Sequence, residues 1–265
     1  MDLDDERIDR LDRKRDRQRM KNKRKTEERA AVGGIFDKLT LETINRFYQK
    51  NVLEEFIGII SAGKEASVYF AYGENRAPRA VKIYKLDPQN TKWMKNYIIG
   101  DPRFTKIGAT TNKIIFTWCK KEQKNLMQMI KAGIRVPKPI IAMNNVLIME
   151  FIGSEDGSPA PRLKDVTEIA DPEKIYEQII HEIRTMYLKA HLVHGDLSEF
   201  NILYWEERPI IIDVSQAVSI EHIHAGILLE RDLKNIGEYF KPLLGEEKIR
   251  DAHELSLSIM RDSKS

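Results

Sequence analysis

The run His194-Gly195-Asp196-Leu197-Ser198-Glu199-Phe200-Asn201, followed after a hairpin-length interval by Ile210-Ile211-Ile212-Asp213, constrains this chain more than any other stretch. It sets three oxygen-bearing side chains at fixed spacings. Asp196 precedes Asn201 by five positions, and Asp213 ends three β-branched apolar residues that read as a buried strand. Phosphoryl transfer asks little covalent work of a protein. It needs a carboxylate to orient the attacking hydroxyl and oxygen ligands to hold Mg²⁺ against the phosphates. Asp196 suits the first task, and Asn201 and Asp213 suit the second, as metal ligands. A lone Asp-x-x-x-x-Asn would imply little; the flanking His-Gly and the downstream Ile-Asp make the implication specific.

Such a loop requires a nucleotide site, and residues 57 to 83 offer two overlapping templates. Ile57-Gly58-Ile59-Ile60 leads into Ser61-Ala62-Gly63-Lys64-Glu65-Ala66-Ser67-Val68-Tyr69, and Ala80-Val81-Lys82-Ile83 follows. The Walker pattern matches from Gly58 to Lys64, but Glu65 stands where a Mg²⁺-binding hydroxyl is needed. The protein-kinase loop G-x-G-x-x-G-x-V aligns Ser61, Gly63, Ala66 and Val68, and its expected strand lysine follows as Lys82. The kinase template fits better. It makes Ser61, Ala62, Gly63, Lys64, Glu65, Ala66, Val68 and Lys82 candidate nucleotide-binding residues.

A lysine of this kind needs an acid from a nearby helix. Residues 115 to 132 carry an apolar stripe of Ile115, Trp118, Cys119, Leu126, Met129 and Ile130, with Glu122 on the same face four positions from both Trp118 and Leu126. An acid on a buried stripe calls for a cationic partner, and Lys82 is the candidate. Gly133, Pro137 and Pro139 end the helix. The long connection at 84–113 has no clear periodicity and reads as disordered or as a lid, although Trp93, Tyr97, Ile98, Ile99 and Phe104 are too apolar for a linker. Val146 to Met149 reads as a buried strand and Glu150-Phe151-Ile152-Gly153 as the hinge whose backbone meets an adenine edge, which makes Met149, Glu150 and Ile152 candidate nucleotide-binding residues. Asp171 caps and Pro172 opens a helix that delivers the chain to the catalytic loop. Two helices, over 227–240 and 246–260, close the chain.

Composition narrows the setting. The chain has 265 residues with a formal net charge of +3, and its mean hydropathy is -0.47. Residues 10 to 25 hold ten Lys/Arg against two Asp, so the remainder is net acidic. That basic stretch is either a solvated tail or an arm that touches nucleic-acid backbone, with no aromatic residue to stack on bases. Cys119 is the only cysteine, which excludes an internal disulfide and a Cys-rich zinc site. His222 and His224 have no third ligand nearby, and His194 reads as a brace for the catalytic loop. No apolar run reaches the roughly 18 residues of a membrane span, so the expectation is a cytoplasmic protein without a membrane partner.

These residues together resemble the RIO family of atypical serine/threonine protein kinases. The resemblance spans roughly residues 37 to 262 and rests on Ser61 to Tyr69, His194 to Asn201 and Ile212-Asp213. Gly100-Asp101-Pro102-Arg103-Phe104 and the Trp118 to Leu126 helix are similar to the first, type-one subfamily, and the short end after Asp213 to its archaeal members. The resemblance implies an α+β, bilobal protein-kinase-like fold. Its parts would be a basic arm at 1–36, a helical extension at 37–56, an N-lobe at 57–152 with the insert at 84–113, and a reduced helical C-lobe at 153–265. It implies ATP with Mg²⁺, or Mn²⁺ in its place, Asp196 as catalytic base, and Asp213 as a transient phosphoaspartate as well as a metal ligand. It also implies action on small ribosomal subunit precursors and their rRNA; the sequence does not fix the oligomeric state, and a monomer is the favoured expectation. Gly195, where ordinary protein kinases carry Arg, and Ser198, where they carry Lys, together with the missing A-P-E, suggest autophosphorylation or ATP hydrolysis rather than efficient phosphorylation of other proteins. Two alternatives share part of the pattern. One is a small-molecule kinase of the aminoglycoside or choline type, and the other a nucleotide-gated module that binds pre-ribosomes.

Overall fold

A computed structural model describes residues 36–104 and 108–263. The basic stretch at 10–25 lies outside them. The chain divides into two compact units, one of residues up to Ile57 with Ala71–Ala77, the other of Gly58–Phe70 with the chain from Pro78 onward.

In the first unit, α1 (Lys38–Gln49) starts where Asp37 accepts a hydrogen bond from the Thr40 N–H at 3.0 Å. Ile44, Phe47 and Tyr48 recur at helical spacing and are buried. Asn51 takes a left-handed φ of 56° just beyond the helix. Phe36 meets Phe56 edge to face, and Arg76 pairs with Glu55 while lying over Tyr72.

Most of a five-stranded sheet belongs to the second unit. Strands β1 (Glu55–Ala62), β2 (Ala66–Tyr72), β3 (Pro78–Tyr84), β4 (Pro139–Met143) and β5 (Val146–Glu150) lie in the order β1-β2-β3-β5-β4. β5 pairs antiparallel with both β3 and β4. From Ala80 to Tyr84 every residue of β3 is buried, as its central place demands, and Lys82 is the one charge among them.

The connection at 84–113 departs from expectation, because its first half is an ordered helix, α2 (Pro88–Ile98). Asp87 caps it by accepting from the Gln89 N–H at 2.9 Å, and Pro88 supplies the first helical φ. Met94 and Ile98 are buried, and Trp93 stands edge-on to Trp118 of α3 (Thr111–Lys131), 5.1 Å between ring centroids. α3 starts four residues before the expected 115 because Thr110 caps it, and it ends at Gly133 with φ 87°. Ile130, assigned to the buried stripe, is 38% exposed.

After the sheet come α4 (Pro172–Leu188), capped by Asp171, then β6 (Leu192–Val193) and the hairpin of β7 (Ile202–Trp205) with β8 (Arg208–Ile211). β9 (Val218–Ser219) pairs antiparallel with β6. α5 (Ala225–Leu244) runs beyond the expected Phe240 and through Pro242. α6 (Ala252–Asp262) starts later than expected because the cap is Asp251, which accepts from the Glu254 N–H at 2.9 Å. One apolar cluster joins Trp118 and Leu126 of α3 to Ile179 and Ile183 of α4 and to Leu229, Ile236 and Phe240 of α5. This is an α+β, kinase-like architecture, an antiparallel sheet followed by a helical half. Among the described residues no helix is long and apolar enough to cross a membrane.

Candidate active site

The charged centre starts from Lys82. Its position in a fully buried run of β3 leaves the ammonium no water, so it must find carboxylates. Nζ donates to Glu122 Oε1 and to Asp213 Oδ1, each at 2.7 Å. Glu122 is 1% exposed and also accepts from the Tyr84 hydroxyl, two residues further along β3. Burial alone would lower the Lys82 pKa, but Asp213 and Glu122 outweigh it and hold the ammonium charged well above the usual lysine range. For Asp213, desolvation raises the pKa, while Lys82 and a 2.9 Å hydrogen bond from the Ser215 hydroxyl win and keep the carboxylate ionised. The Asp213 side chain is 47% exposed and faces the cavity. Its backbone is left-handed, φ 54°, a conformation Asp tolerates better than most residues.

The nucleotide-loop candidates form a tight turn between β1 and β2. The Gly63 N–H donates to Ala66 O at 2.9 Å, and a side chain at Gly63 would come within 2.9 Å of that same oxygen, so glycine is required. Lys85 fixes the turn by donating from Nζ to Gly63 O at 2.7 Å. Glu65 points into the cavity. Burial and then the nearby Asp213 charge push its carboxyl up to about 7, against the attraction of Lys82. Arg162, which the sequence did not single out, reaches Ser61 Oγ at 3.0 Å from its place beside β7. At the hinge, the Glu150 N–H already donates to Lys138 O, and Ile152 O accepts from Ala160. The Glu150 carboxylate is held by Arg135 at 2.8 Å.

The loop from His194 to Asn201 is held through its backbone. Gly195 has φ 75°, which explains a glycine where a larger residue would be strained. Its N–H donates to Asp232 Oδ2 at 2.8 Å, and the Leu197 N–H to Asp232 Oδ1 at 2.9 Å. Arg231 donates to Gly195 O, and Asn235 to Leu197 O at 3.0 Å, so one face of α5 fixes both sides of Asp196. Burial pushes Asp232 up to about 7 despite those two N–H donors. Asp196 Oδ2 accepts from Gln216 at 2.8 Å. Burial first, and then Asp213, raises its pKa above the ordinary Asp value. Asn201 Nδ2 donates to Asp196 O at 2.8 Å, which turns its amide oxygen away from the loop. His194 is 1% exposed, its Nε2 lies 3.1 Å from Ile212 O, and burial lowers its pKa to about 4, so it braces the loop in the neutral form.

One cavity of about 600 Å³ brings most of these groups together. Its wall includes Ser61, Gly63, Lys64, Glu65, Ala66, Val68, Lys82, Met149, Glu150, Ile152, Asp196, Asn201 and Asp213. Ala62 is exposed and off the wall, and Glu122 lies behind Lys82. Tyr84, Arg162, Phe200 and Gln216 also line it. Among the described residues no cluster of three His, Cys, Asp or Glu side chains could hold a metal by itself. The donor set at one end of the cavity, an amide oxygen and a carboxylate, instead suits Mg²⁺, which keeps several waters and takes few protein ligands besides substrate phosphates. The excess of carboxylates there, Glu65, Asp196 and Asp213, favours a cation.

The RIO domain family profile matches residues 67–252. The chain is 37% identical over 245 residues to the RIO-type serine/threonine-protein kinase Rio1 of Haloferax volcanii, covering 91% of this chain and 83% of that one. It is 40% identical to the human serine/threonine-protein kinase RIO1 over 80% of this chain but 38% of the human protein. Among solved structures, the Rio2 kinase-ADP/Mg²⁺-phosphoaspartate complex from Chaetomium thermophilum superposes with a TM-score of 0.61 at 20% identity, covering 85% of this chain and 74% of that one.

Proposed function

This chain belongs to the RIO family of atypical serine/threonine protein kinases, in its type-one branch, and from that premise we propose that it binds ATP with Mg²⁺ and either phosphorylates itself or hydrolyses ATP through an aspartyl-phosphate. The observation that carries the proposal is the pair of Lys82 and Asp213 on the wall of a cavity that also holds Asp196 and Asn201, with Glu122 clamping Lys82 from behind. In this reading Lys82, held by Glu122, contacts the α and β phosphates. The turn of Ser61, Ala62, Gly63, Lys64, Glu65 and Ala66, with Val68 behind it, covers the triphosphate. Met149, Glu150 and Ile152 line the adenine, and the Ile152 N–H donates to its edge.

Asn201 and Asp213 would hold Mg²⁺, which supplies charge neutralisation on the phosphates when bound. Asp196, its pKa raised, takes the proton of an attacking serine or threonine hydroxyl. In the hydrolytic branch Asp213 is the acceptor. Its Oδ1 is engaged by Lys82 and Ser215, which leaves Oδ2 to attack the γ-phosphorus. The bond from that phosphorus to the β,γ-bridging oxygen breaks, ADP leaves, and water then cleaves the acyl phosphate. The complex of Rio2 from Chaetomium thermophilum holds ADP, Mg²⁺ and a phosphoaspartate on this fold. We further propose that turnover is coupled to maturation of the small ribosomal subunit in the cytoplasm, with precursor rRNA or its proteins as the partner of a monomeric enzyme.

The test is release of labelled phosphate from γ-labelled ATP and Mg²⁺, with and without small ribosomal subunits or their precursors. Asp213→Asn is the control, since Asn also tolerates the left-handed backbone at that position. Release stimulated by subunits, self-labelling, and a loss of about 10³-fold or more in the variant are expected. Rapid labelling of an amino alcohol instead, with no effect of subunits, would make this a small-molecule kinase.

A further inference from the structure

Helix α3 carries a second set of polar side chains that the proposed chemistry does not use. Lys121 and Asn125 are four positions apart, so they share a face, and both are 0% exposed. Lys121 Nζ donates to Ser215 O at 2.9 Å and to Ala217 O. Asn125 Nδ2 donates to Val214 O at 2.7 Å and to Ala217 O at 3.1 Å. Three carbonyls of the turn that starts directly after Asp213 are therefore captured from one helix face. The orientation of the Asn125 amide is fixed from the other side, because its Oδ1 accepts from Arg103 Nη1 at 2.8 Å. Arg103 is in turn fixed by a two-point ion pair with Asp101, which is 2% exposed.

Packing alone does not explain this arrangement. A buried ammonium bonded to carbonyls, with the Trp118 ring 5.2 Å away and no carboxylate in an ion pair with it among the described residues, costs more than a methionine of similar length. Burial first, and then the nearby Arg103 charge, lowers the Lys121 pKa to about 7, against the attraction of Asp101 and Glu122. The turn it holds follows Asp213 in its left-handed backbone and is closed internally by one backbone bond, from the Ala217 N–H to Val214 O.

We propose that Lys121 and Asn125, oriented through Arg103, are positioning residues for Asp213. They tie the carboxylate to the helix that also carries Glu122, so that the Lys82 clamp and the Asp213 ligand are set together. The inference rests on the reading of Asp213 as the Mg²⁺ ligand.

The experiment is calorimetric titration of the full chain with ADP, in EDTA and in Mg²⁺, alongside thermal melting. In the wild type Mg²⁺ tightens ADP binding, and Asp213→Asn removes that gain. Lys121→Met and Asn125→Leu keep ADP affinity in EDTA within about twofold, while the Mg²⁺ gain falls about tenfold, the size of one hydrogen bond involving a charged group. Lys121→Met removes a buried charge but also takes the donor from Ser215 O, so it melts somewhat below wild type while remaining folded. If that variant does not fold, Arg103→Leu, changed on a partly exposed loop, carries the same expectation at about threefold. An unchanged Mg²⁺ gain in these variants overturns the proposal, and so does an equal loss with and without Mg²⁺, which would mark a merely structural role. A wild type with no Mg²⁺ gain overturns instead the reading of Asp213 on which the proposal stands.

Discussion

Two helices each send one buried acid to the active site, and they use it differently. Glu122 of α3 meets an ammonium and a tyrosine hydroxyl, so it holds a side chain by charge. Asp232 of α5 meets two backbone N–H groups, so it holds a loop by shape. The sheet side of the cavity thus depends on a balance of charges, which substitution can upset and a second substitution can restore. The helical side depends on a geometry for which Asp has no simple substitute.

Breaking the charge balance gives the largest effect. Lys82→Met leaves Glu122 buried without its counter-charge and lowers stability by about 3–5 kcal/mol. Lys82→Met combined with Glu122→Leu recovers most of that, because Asp213, half exposed, is then solvated. Urea unfolding of the three proteins measures both. If the double variant is as unstable as the single one, the charge account of this clamp is wrong.

Asp232→Asn is smaller in stability and larger in function. The amide turns an N–H₂ toward an N–H and loses one of the two loop bonds, at about 1–3 kcal/mol. The displaced Asp196 lowers kcat about 10²-fold while KM for ATP changes little. A matching rise in KM would mean that the clamp serves the nucleotide rather than the loop.

The smallest effect sharpens the contrast through an acid with neither kind of partner. Glu182 on α4 makes no ion pair or side-chain hydrogen bond among the described residues, and burial raises its pKa to about 7. A carboxyl whose pKa is higher folded than unfolded favours the native state at low pH, and that contribution fades as pH rises from about 4.5 to 7. Glu182→Gln therefore raises stability by about 1–2 kcal/mol at pH 8 and leaves it nearly unchanged at pH 4, read from melting curves at the two values.

The same contrast explains what could be read from the chain alone. Glu122 was legible because it is a lone acid on an apolar stripe, and the Lys82 partner follows from the buried strand. Asp232 sits in the same kind of frame, between Leu228, Leu229, Leu233 and Ile236, and the argument applied to Glu122 would have found it. What it binds was not legible, since a backbone N–H has no residue type. Helix α2 was missed although Asp87-Pro88 is the cap signal already read at Asp171-Pro172; its buried face is only Thr91, Met94 and Ile98, and the adjoining Trp93 and Tyr97 blur the period. Arg162 and Gln216 reach their partners across 101 and 20 residues, and no local pattern marks such distances. The strand at Val146, the hairpin before Asp213 and the cap at Asp171 were legible because each is set by neighbours in sequence.

The aromatic contact between α2 and α3 also makes the molecule its own optical reporter. Trp93 and Trp118 meet at 5.1 Å, and the Lys121 ammonium lies 5.2 Å from the Trp118 ring. The remaining tryptophan, Trp205, is on the β7–β8 hairpin. Trp205→Phe therefore leaves a tryptophan emission that comes only from Trp93 and Trp118 at the α2–α3 contact, and a shift in it when nucleotide is added reads a change in the surroundings of that contact without an attached dye.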